Sequence, residues 1–172
     1  HANEEIGAVQ PIAAIATLCR SEGVLFHTDA AQSLAKLPLN VRELDIDLMS
    51  LSAHKAYGPK GVGALYVRRG VNVEPQLWGA SHESGQRAGM PNVAGLVAIA
   101  GLAQQTLSES TQRLRTLTER LERRLIDGAN GARLYGPPID GRIAGTLCVA
   151  LPGVAATDLL AAVPELCATP CA

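Results

Sequence analysis

DLMSLSAHKAYGPKGVGALYVRR, residues 47–69, is the stretch on which the fold turns. Its opening, Asp47-Leu48-Met49-Ser50-Leu51-Ser52, is an apolar run of the length of a buried strand. At Ser52-Ala53-His54-Lys55 the run ends and polar groups stand at its exit. Gly58-Pro59-Lys60-Gly61 reads as a turn, and Val62 to Arg68 as the next strand. Upstream, Val24-Leu25-Phe26-His27 is a shorter run of the same kind, with Asp29 just past its end. Between the runs, Ala30 to Ala35 reads as a helical patch. Earlier still, Ile12, Ile15, Ala16 and Cys19 keep helical spacing within residues 10–22, Pro11 suits a first turn, and Gly23 suits a stop. The order helix, strand, helix, strand, strand indicates an α/β sheet covered by helices.

Beyond this block the chain changes character. Residues 70–92 are rich in Gly, Ser, Pro and Asn and read as a long loop, a kind that is usually functional inside a domain. A long helix is expected from Val93 to Asp127. There Leu107, Leu114 and Leu121 recur every seven residues and Leu117 and Leu125 fill the same stripe, a pattern of core or interface packing. Gly128 and the glycines after it end that helix. Its length suggests a bridge, so 1–92 is read as part of one domain and 93–172 as the bridging helix and the start of a smaller one. Thr146 to Leu151 is expected to be a strand, Pro152-Gly153 a turn, and Ala156 to Ala162 a helix.

Composition narrows the function classes. Of 172 residues 47% are hydrophobic and 18% charged, enough apolar material for a core and too much for a disordered chain. Fifteen basic side chains nearly cancel sixteen acidic ones, leaving −1, so bulk charge gives no support to nucleic-acid or anionic-membrane binding. No apolar stretch approaches the ~18–20 residues of a membrane span, and no leader pattern is visible, so a cytoplasmic setting is expected. The first residue is His1 and the chain stops just after a cysteine, which suggests an internal piece of a longer protein, inactive alone. Cys19, Cys148, Cys167 and Cys171 show no disulfide framework; the pair at 167 and 171 lacks the second half of a zinc site, and reduced thiols are expected. Lysine is scarce, with Lys36, Lys55 and Lys60 against twelve arginines.

The strand exits carry the chemistry. His27, Asp29 and Gln32 follow one strand, and Ser52, His54 and Lys55 the next. In open α/β sheets ligands bind outside the carboxyl ends of the strands. A carboxylate and a primary amine on neighbouring strand ends suit pyridoxal phosphate, whose aldehyde condenses with an amine and whose ring nitrogen needs an acid partner to stay protonated. Lys55 would form that imine, and Asp29 would pair with the ring nitrogen. Gln32, a helical turn beyond Asp29, would reach the ring's phenolic oxygen, and Ser52 and His54 would donate to the phosphate. Each residue also has a plainer reading: Lys55 as a solvated charge, His27 as a core histidine bonded to backbone. A metal hydrolase using His27, Asp29 and His54 is a distant alternative.

Four ordered blocks bear on the choice: HANEEIG at 1–7, FHTDAAQS at 26–33, the block at 47–69, and HESGQRAGMPNVAG at 82–95. Together they strongly resemble the cysteine desulfurase family, close to the selenocysteine lyases within the class V aminotransferase-like enzymes. The resemblance implies the type I pyridoxal-phosphate transferase fold: a partial large domain with a mainly parallel sheet, plus the start of an α+β small domain. It implies Lys55 as the imine-forming lysine, Asp29 as the ring-nitrogen partner, Gln32 beside the phenolic oxygen, and Ser52 and His54 on the phosphate. The family takes sulfur from L-cysteine, releases L-alanine and keeps a persulfide on an enzyme cysteine, for iron–sulfur cluster assembly or other sulfur transfer. A homodimer is implied, because the loop at 79–92 resembles one that crosses to a partner's site, and a sulfur-acceptor or scaffold protein would be a further partner. Selenocysteine lysis, another class V reaction, or a non-catalytic relative of the same fold are the alternatives.

Departures from the family pattern matter. Glu4 stands where the family has a cofactor-contacting Asn, and an ionised carboxylate cannot donate as an amide does. Met90 stands where a Thr hydroxyl would reach the phosphate of the neighbouring subunit's cofactor, and Ser84 replaces an Arg. These changes predict weaker cofactor retention. Cys171 falls near the family's persulfide cysteine, although its surroundings lack the usual Ser- and Gly-rich loop; that nucleophile is either Cys171 or a cysteine beyond this sequence. Cys19 and Cys148 are expected to be buried packing residues.

Overall fold

The computed structural model describes residues 1–104 and 108–170. It divides into two compact units, one of His1–Ala2 with Gln10–Leu107 and one of Asn3–Val9 with Ser108–Ala172.

The first unit opens with α1 (Ile12–Ser21), which follows Pro11 and buries Ile12 and Ala16 one turn apart. It ends as its glycine predicts. Gly23 takes φ +66°, its N–H donates to the Arg20 carbonyl at 3.1 Å, and the Val24 N–H donates to the Cys19 carbonyl at 2.8 Å. That double closure caps the last carbonyls of the helix. β1 (His27–Asp29) then runs parallel to β2 (Leu48–Ser52), and β3 (Gly63–Val67) returns antiparallel beside β2, in the order β1-β2-β3. The described sheet is thus mixed, with the turn at 58–61 reversing the chain into its third strand. α2 (Val93–Gln104) follows the long segment at 70–92, whose one regular feature is a 3-10 turn at Glu83–Gly85.

Two apolar clusters hold this unit. Ala16, Ala30, Ile46 and Met49 form one, with Phe26, Leu51 and Tyr66 packed against it. Leu34, Ala53, Ala56 and Ile99 form the other, flanked by Val62 and Leu102. Thr28 pairs with Met49 and Met49 with Tyr66, so these side chains share the core face of the sheet. His27, Asp29 and Ser50 therefore lie on the other face.

The opposite end of the strands is tied by charge. Asp47 is 5% exposed and accepts from the Phe26 N–H at 2.9 Å, Arg20 Nη2 at 3.2 Å and Arg68 Nε at 3.1 Å. Asp45 accepts from Arg20 and Arg68, each at 2.6 Å. Those two guanidiniums hold the Asp45 carboxyl below the usual carboxylate range.

The second unit contains α3 (Ser108–Gly128), an antiparallel pair β4 (Arg133–Tyr135) and β5 (Cys148–Ala150), and α4 (Ala156–Ala162). The segment Asn3–Val9 joins it through an Ala8–Arg142 bridge and an Ile143 N–H bond of 2.9 Å to the Gly7 carbonyl. Gly7 is needed there, since a Cβ would stand 2.5 Å from Arg142 Cγ. Arg142, 2% exposed, is ion-paired with Glu122 of α3.

Several elements differ from the sequence reading. Val24 and Leu25 are 56% and 59% exposed, and the first strand is His27–Asp29 instead of Val24–His27. Its position is set by pairing with β2, which starts where the Phe26 carbonyl accepts from the Asp47 and Leu48 N–H groups. Ala30 to Ala35 is a run of turns rather than a helix. The Leu34 N–H bonds back to the Ala30 carbonyl at 3.3 Å, but Ala35 at φ +55° breaks the helical path. The span 93–127 is helical over Val93–Gln104 and from Ser108 onward, with Leu107 outside the described residues. Leu114, Leu117 and Leu121 are 40%, 48% and 51% exposed, while Thr118 is buried at 7% exposure, its hydroxyl bonded to the Leu114 carbonyl. Cys148 is buried as expected, but Cys19 is only half-buried. β4, with a single apolar aliphatic residue, gave no alternation to read.

Candidate active site

Parallel pairing sends β1 and β2 in one direction, so their carboxyl ends share an edge of the sheet. Asp29, the last residue of β1, lies opposite Ser50, two residues before β2 ends at Ser52. Adjacent strands are ~4.8 Å apart, so the Asp29 exit and the Ser52 exit are neighbours.

A 3-10 turn at Ala53–Ala56 follows β2 directly. Its two alanines are buried in the cluster with Leu34 and Ile99, which leaves His54 and Lys55 on the outer, exposed side. The turn is clamped at both ends. The Ala53 N–H donates to the Val62 carbonyl at 3.2 Å and the Gly58 N–H to the Ala53 carbonyl at 2.9 Å. Gly58 cannot carry a side chain, because a Cβ would meet Leu102 Cδ1 at 2.6 Å and Ala53 Cβ at 2.9 Å. Small residues on either side of the polar pair, Ala53 before it and Ala56 and Gly58 after it, thus fix the direction in which His54 and Lys55 leave the fold.

The first exit is shaped by its aspartate. Asp29 Oδ1 accepts from the Ala31 N–H at 2.8 Å, which bends the chain into the turns of 30–36. Behind Asp29 on the same face, His27 Nε2 and Ser50 Oγ are 3.2 Å apart. His27 is exposed and bonded to a side chain, so the core-histidine reading does not describe it. Within the turns Ser33 and Leu34 are buried and Gln32 and Lys36 half-buried. Lys36 Nζ lies 3.4 Å from Gln32 Oε1. Burial first, and the nearby charge of Lys55 second, hold the Lys36 ammonium below the usual lysine range.

The fold therefore gathers Asp29, Gln32, Ser52, His54 and Lys55 into one compact unit, at or just beyond the carboxyl ends of β1 and β2. Met90 belongs to the same unit, 84% exposed, beside a depression of about 530 Å³ that Leu65, Leu77, Gln86 and Arg87 also line. The strand-exit residues do not line that depression. Glu4 is an exposed residue of the second unit, in a turn where Asn3 Oδ1 accepts from the Glu5 and Ile6 N–H groups at 2.9 Å. Cys171 lies outside the described residues. Among the described residues no group of three or more His, Cys, Asp or Glu could hold a metal ion, and no helix is long and apolar enough to cross a membrane. Lys36 and Ser50 escaped the sequence reading. The scarcity of lysine was the available signal for the first.

The aminotransferase class-V family model matches residues 1–166. The chain belongs to that family. Within it, the chain is 49% identical over 126 residues to the cysteine desulfurase IscS of Shewanella denitrificans, covering 70% of this chain and 31% of that protein. It is 44% identical over 170 residues to the cysteine desulfurase IscS of Vibrio cholerae, covering 96% of this chain and 42% of the relative. A solved NifS-like protein superposes with a TM-score of 0.87 at 33% identity, over 95% of this chain and 46% of the other. The fold is accordingly a part of the type I fold of the pyridoxal-phosphate enzymes, and the chain spans less than half the length of these relatives. Class V enzymes work with pyridoxal phosphate, and the groups at the strand exits suit it: an amine, a carboxylate, an amide and a hydroxyl at one sheet edge.

Proposed function

We propose that this chain is part of a pyridoxal-phosphate-dependent cysteine desulfurase, which takes sulfur from L-cysteine and releases L-alanine. The reading is carried by one observation: the parallel register that sets Asp29 beside Ser50 brings the carboxylate to the same edge as the Ser52–Lys55 exit. Lys55 would hold the cofactor's aldehyde carbon through Nζ and, once the substrate's amine has taken its place there, would accept the substrate's α-proton at the freed amine. Asp29 would keep the proton on the ring nitrogen. Its Oδ1 is already fixed by the Ala31 N–H, so the carboxylate needs little reorganisation to do so. Gln32 would serve the phenolic oxygen, and the Ser52 hydroxyl and His54 imidazole the phosphate. When bound, the cofactor supplies an electron sink for the carbanion at the substrate α-carbon. An enzyme thiolate, from Cys171 or a cysteine beyond this sequence, would then take the sulfur as a persulfide.

The wider reading follows the family. Residues 1–92 are part of the cofactor-binding domain, and 93–172 are a bridging helix and the beginning of a smaller one. The complete enzyme is a cytoplasmic homodimer that passes sulfur to an acceptor or scaffold protein for iron–sulfur cluster assembly or other thiolation. Glu4 and Met90 stand at cofactor-contact positions and loosen retention. Purified complete protein, supplied with pyridoxal phosphate, L-cysteine and a dithiol reductant that cleaves the enzyme persulfide, is expected to release alanine and sulfide in equal amounts. Lys55→Ala is expected to lose both products and the visible band of the bound cofactor. Turnover of selenocysteine alone would make it a selenocysteine lyase, and a wild-type protein that takes up no cofactor would make it a non-catalytic relative.

A further inference from the structure

We propose that Lys36 is a positioning residue that engages the side-chain oxygen of Gln32, so that Gln32 is presented to the cofactor as a hydrogen-bond donor. The inference rests on the proposed function, and it adds a residue that neither the sequence reading nor the motif comparison singled out.

A glutamine amide carries an acceptor oxygen and a donor nitrogen of nearly equal size, and packing alone does not choose between its two flips. The phenolic oxygen of the ring, ionised in the working cofactor, is an acceptor. Only the flip that offers N–H to it is useful. An ammonium has three donors and no acceptor, so the amide atom facing Lys36 Nζ at 3.4 Å has to be the oxygen. The amide's N–H donors then point away from Lys36.

The local fold builds this contact deliberately. Leu34 N–H bonds to the Ala30 carbonyl at 3.3 Å and Leu37 N–H to the Ser33 carbonyl at 2.9 Å, and these turns, bent at Ala35, bring Lys36 Nζ back to Gln32 Oε1. Ser33 at 0% and Leu34 at 2% exposure anchor the inner side. Gln32 and Lys36 share the half-buried side. The placement is also unfavourable to folding, which is the independent sign of a role. A cation is half-buried close enough to Lys55 for their charges to repel. An uncharged residue of the same length would satisfy the packing with less strain on the charge.

The test compares wild type, Lys36→Met, Gln32→Ala and the double variant in the complete protein. Because Lys36 is held below its ordinary range, its protonated form opposes folding. Lys36→Met is therefore expected to melt, without cofactor, at the same temperature as wild type or higher. Its cofactor dissociation constant is expected to rise about tenfold, the loss of one charge-assisted orientation, with a shifted visible band. In the Gln32→Ala background the same change is expected to alter the constant less than twofold. Unchanged affinity and spectrum in Lys36→Met would overturn the proposal. So would an equal loss in both backgrounds, since Lys36 would then act independently of Gln32. If wild type itself takes up no cofactor, the proposed function falls and this inference with it, a result distinct from the other two.

Discussion

The two ends of one three-stranded sheet are built to opposite specifications. At the end where β2 begins, Asp47 is buried and receives a backbone N–H and two guanidiniums, with Asp45 bridging the same arginines. At the end where β1 and β2 finish, Asp29 is exposed and its carboxylate accepts from the Ala31 N–H, while exposed His54 and Lys55 follow the neighbouring strand. Both aspartates organise backbone; the first is buried among an N–H and two guanidiniums, the second stays exposed at its strand end. A charge that is fully paired has little left to offer a ligand, which is why the proposed chemistry is assigned to the open end.

That contrast can be broken first by exchanging stability for activity. Asp47→Ala is expected to destabilise the complete protein by about 3 kcal/mol, because it leaves the Phe26 N–H without its acceptor and takes a buried acceptor from two arginines that keep only Asp45 and backbone carbonyls, and chemical denaturation measures it. Asp29→Asn keeps an oxygen for the Ala31 N–H, so its stability is expected to change by less than about 0.5 kcal/mol. Its rate of alanine formation is expected to fall at least a hundredfold, or about 3 kcal/mol of barrier. If the two variants behave alike, the division of labour between the ends is wrong.

A finer test uses acid. Asp45's carboxyl titrates below its unfolded value of about 4, so its contribution to stability is complete above that pH. The contribution is lost as pH falls through the lower, folded-state value. Melting temperatures measured from pH 6 down to pH 2 are expected to fall less steeply in Asp45→Asn than in wild type. The smallest expected effect is at the loop: Met90→Thr, restoring a hydroxyl, should tighten cofactor binding by a few-fold in a titration. No gain would mean that Met90 lies away from the cofactor.

How much of this was legible beforehand depended on how local each cause is. The β2 strand and the turn after it were readable because Leu48, Met49 and Leu51 interrupt into Ser52-Ala53-His54-Lys55, a pattern whose periodicity and polarity change within a few residues. α1 was readable from Pro11 and Gly23, both used as local punctuation. β1 was displaced by three residues because its limits come from a partner strand about twenty positions away. The turns at 30–36 looked helical, and only the left-handed Ala35 separates them from a helix. At the site, the residue types and their order were visible, but the Lys36–Gln32 contact and the His27–Ser50 pair depend on how the backbone bends, which spacing alone does not reveal.

The account stands or falls on which amine carries the cofactor; within this sequence the lysines are Lys36, Lys55 and Lys60. Borohydride reduction of the complete, cofactor-loaded protein, followed by peptide mass mapping, makes the lysine–cofactor linkage permanent and locates it. A pyridoxyl mass on Lys55, lost in Lys55→Ala and absent from Lys36 and Lys60, is the predicted result; a label on either of those lysines, or on none, would contradict it.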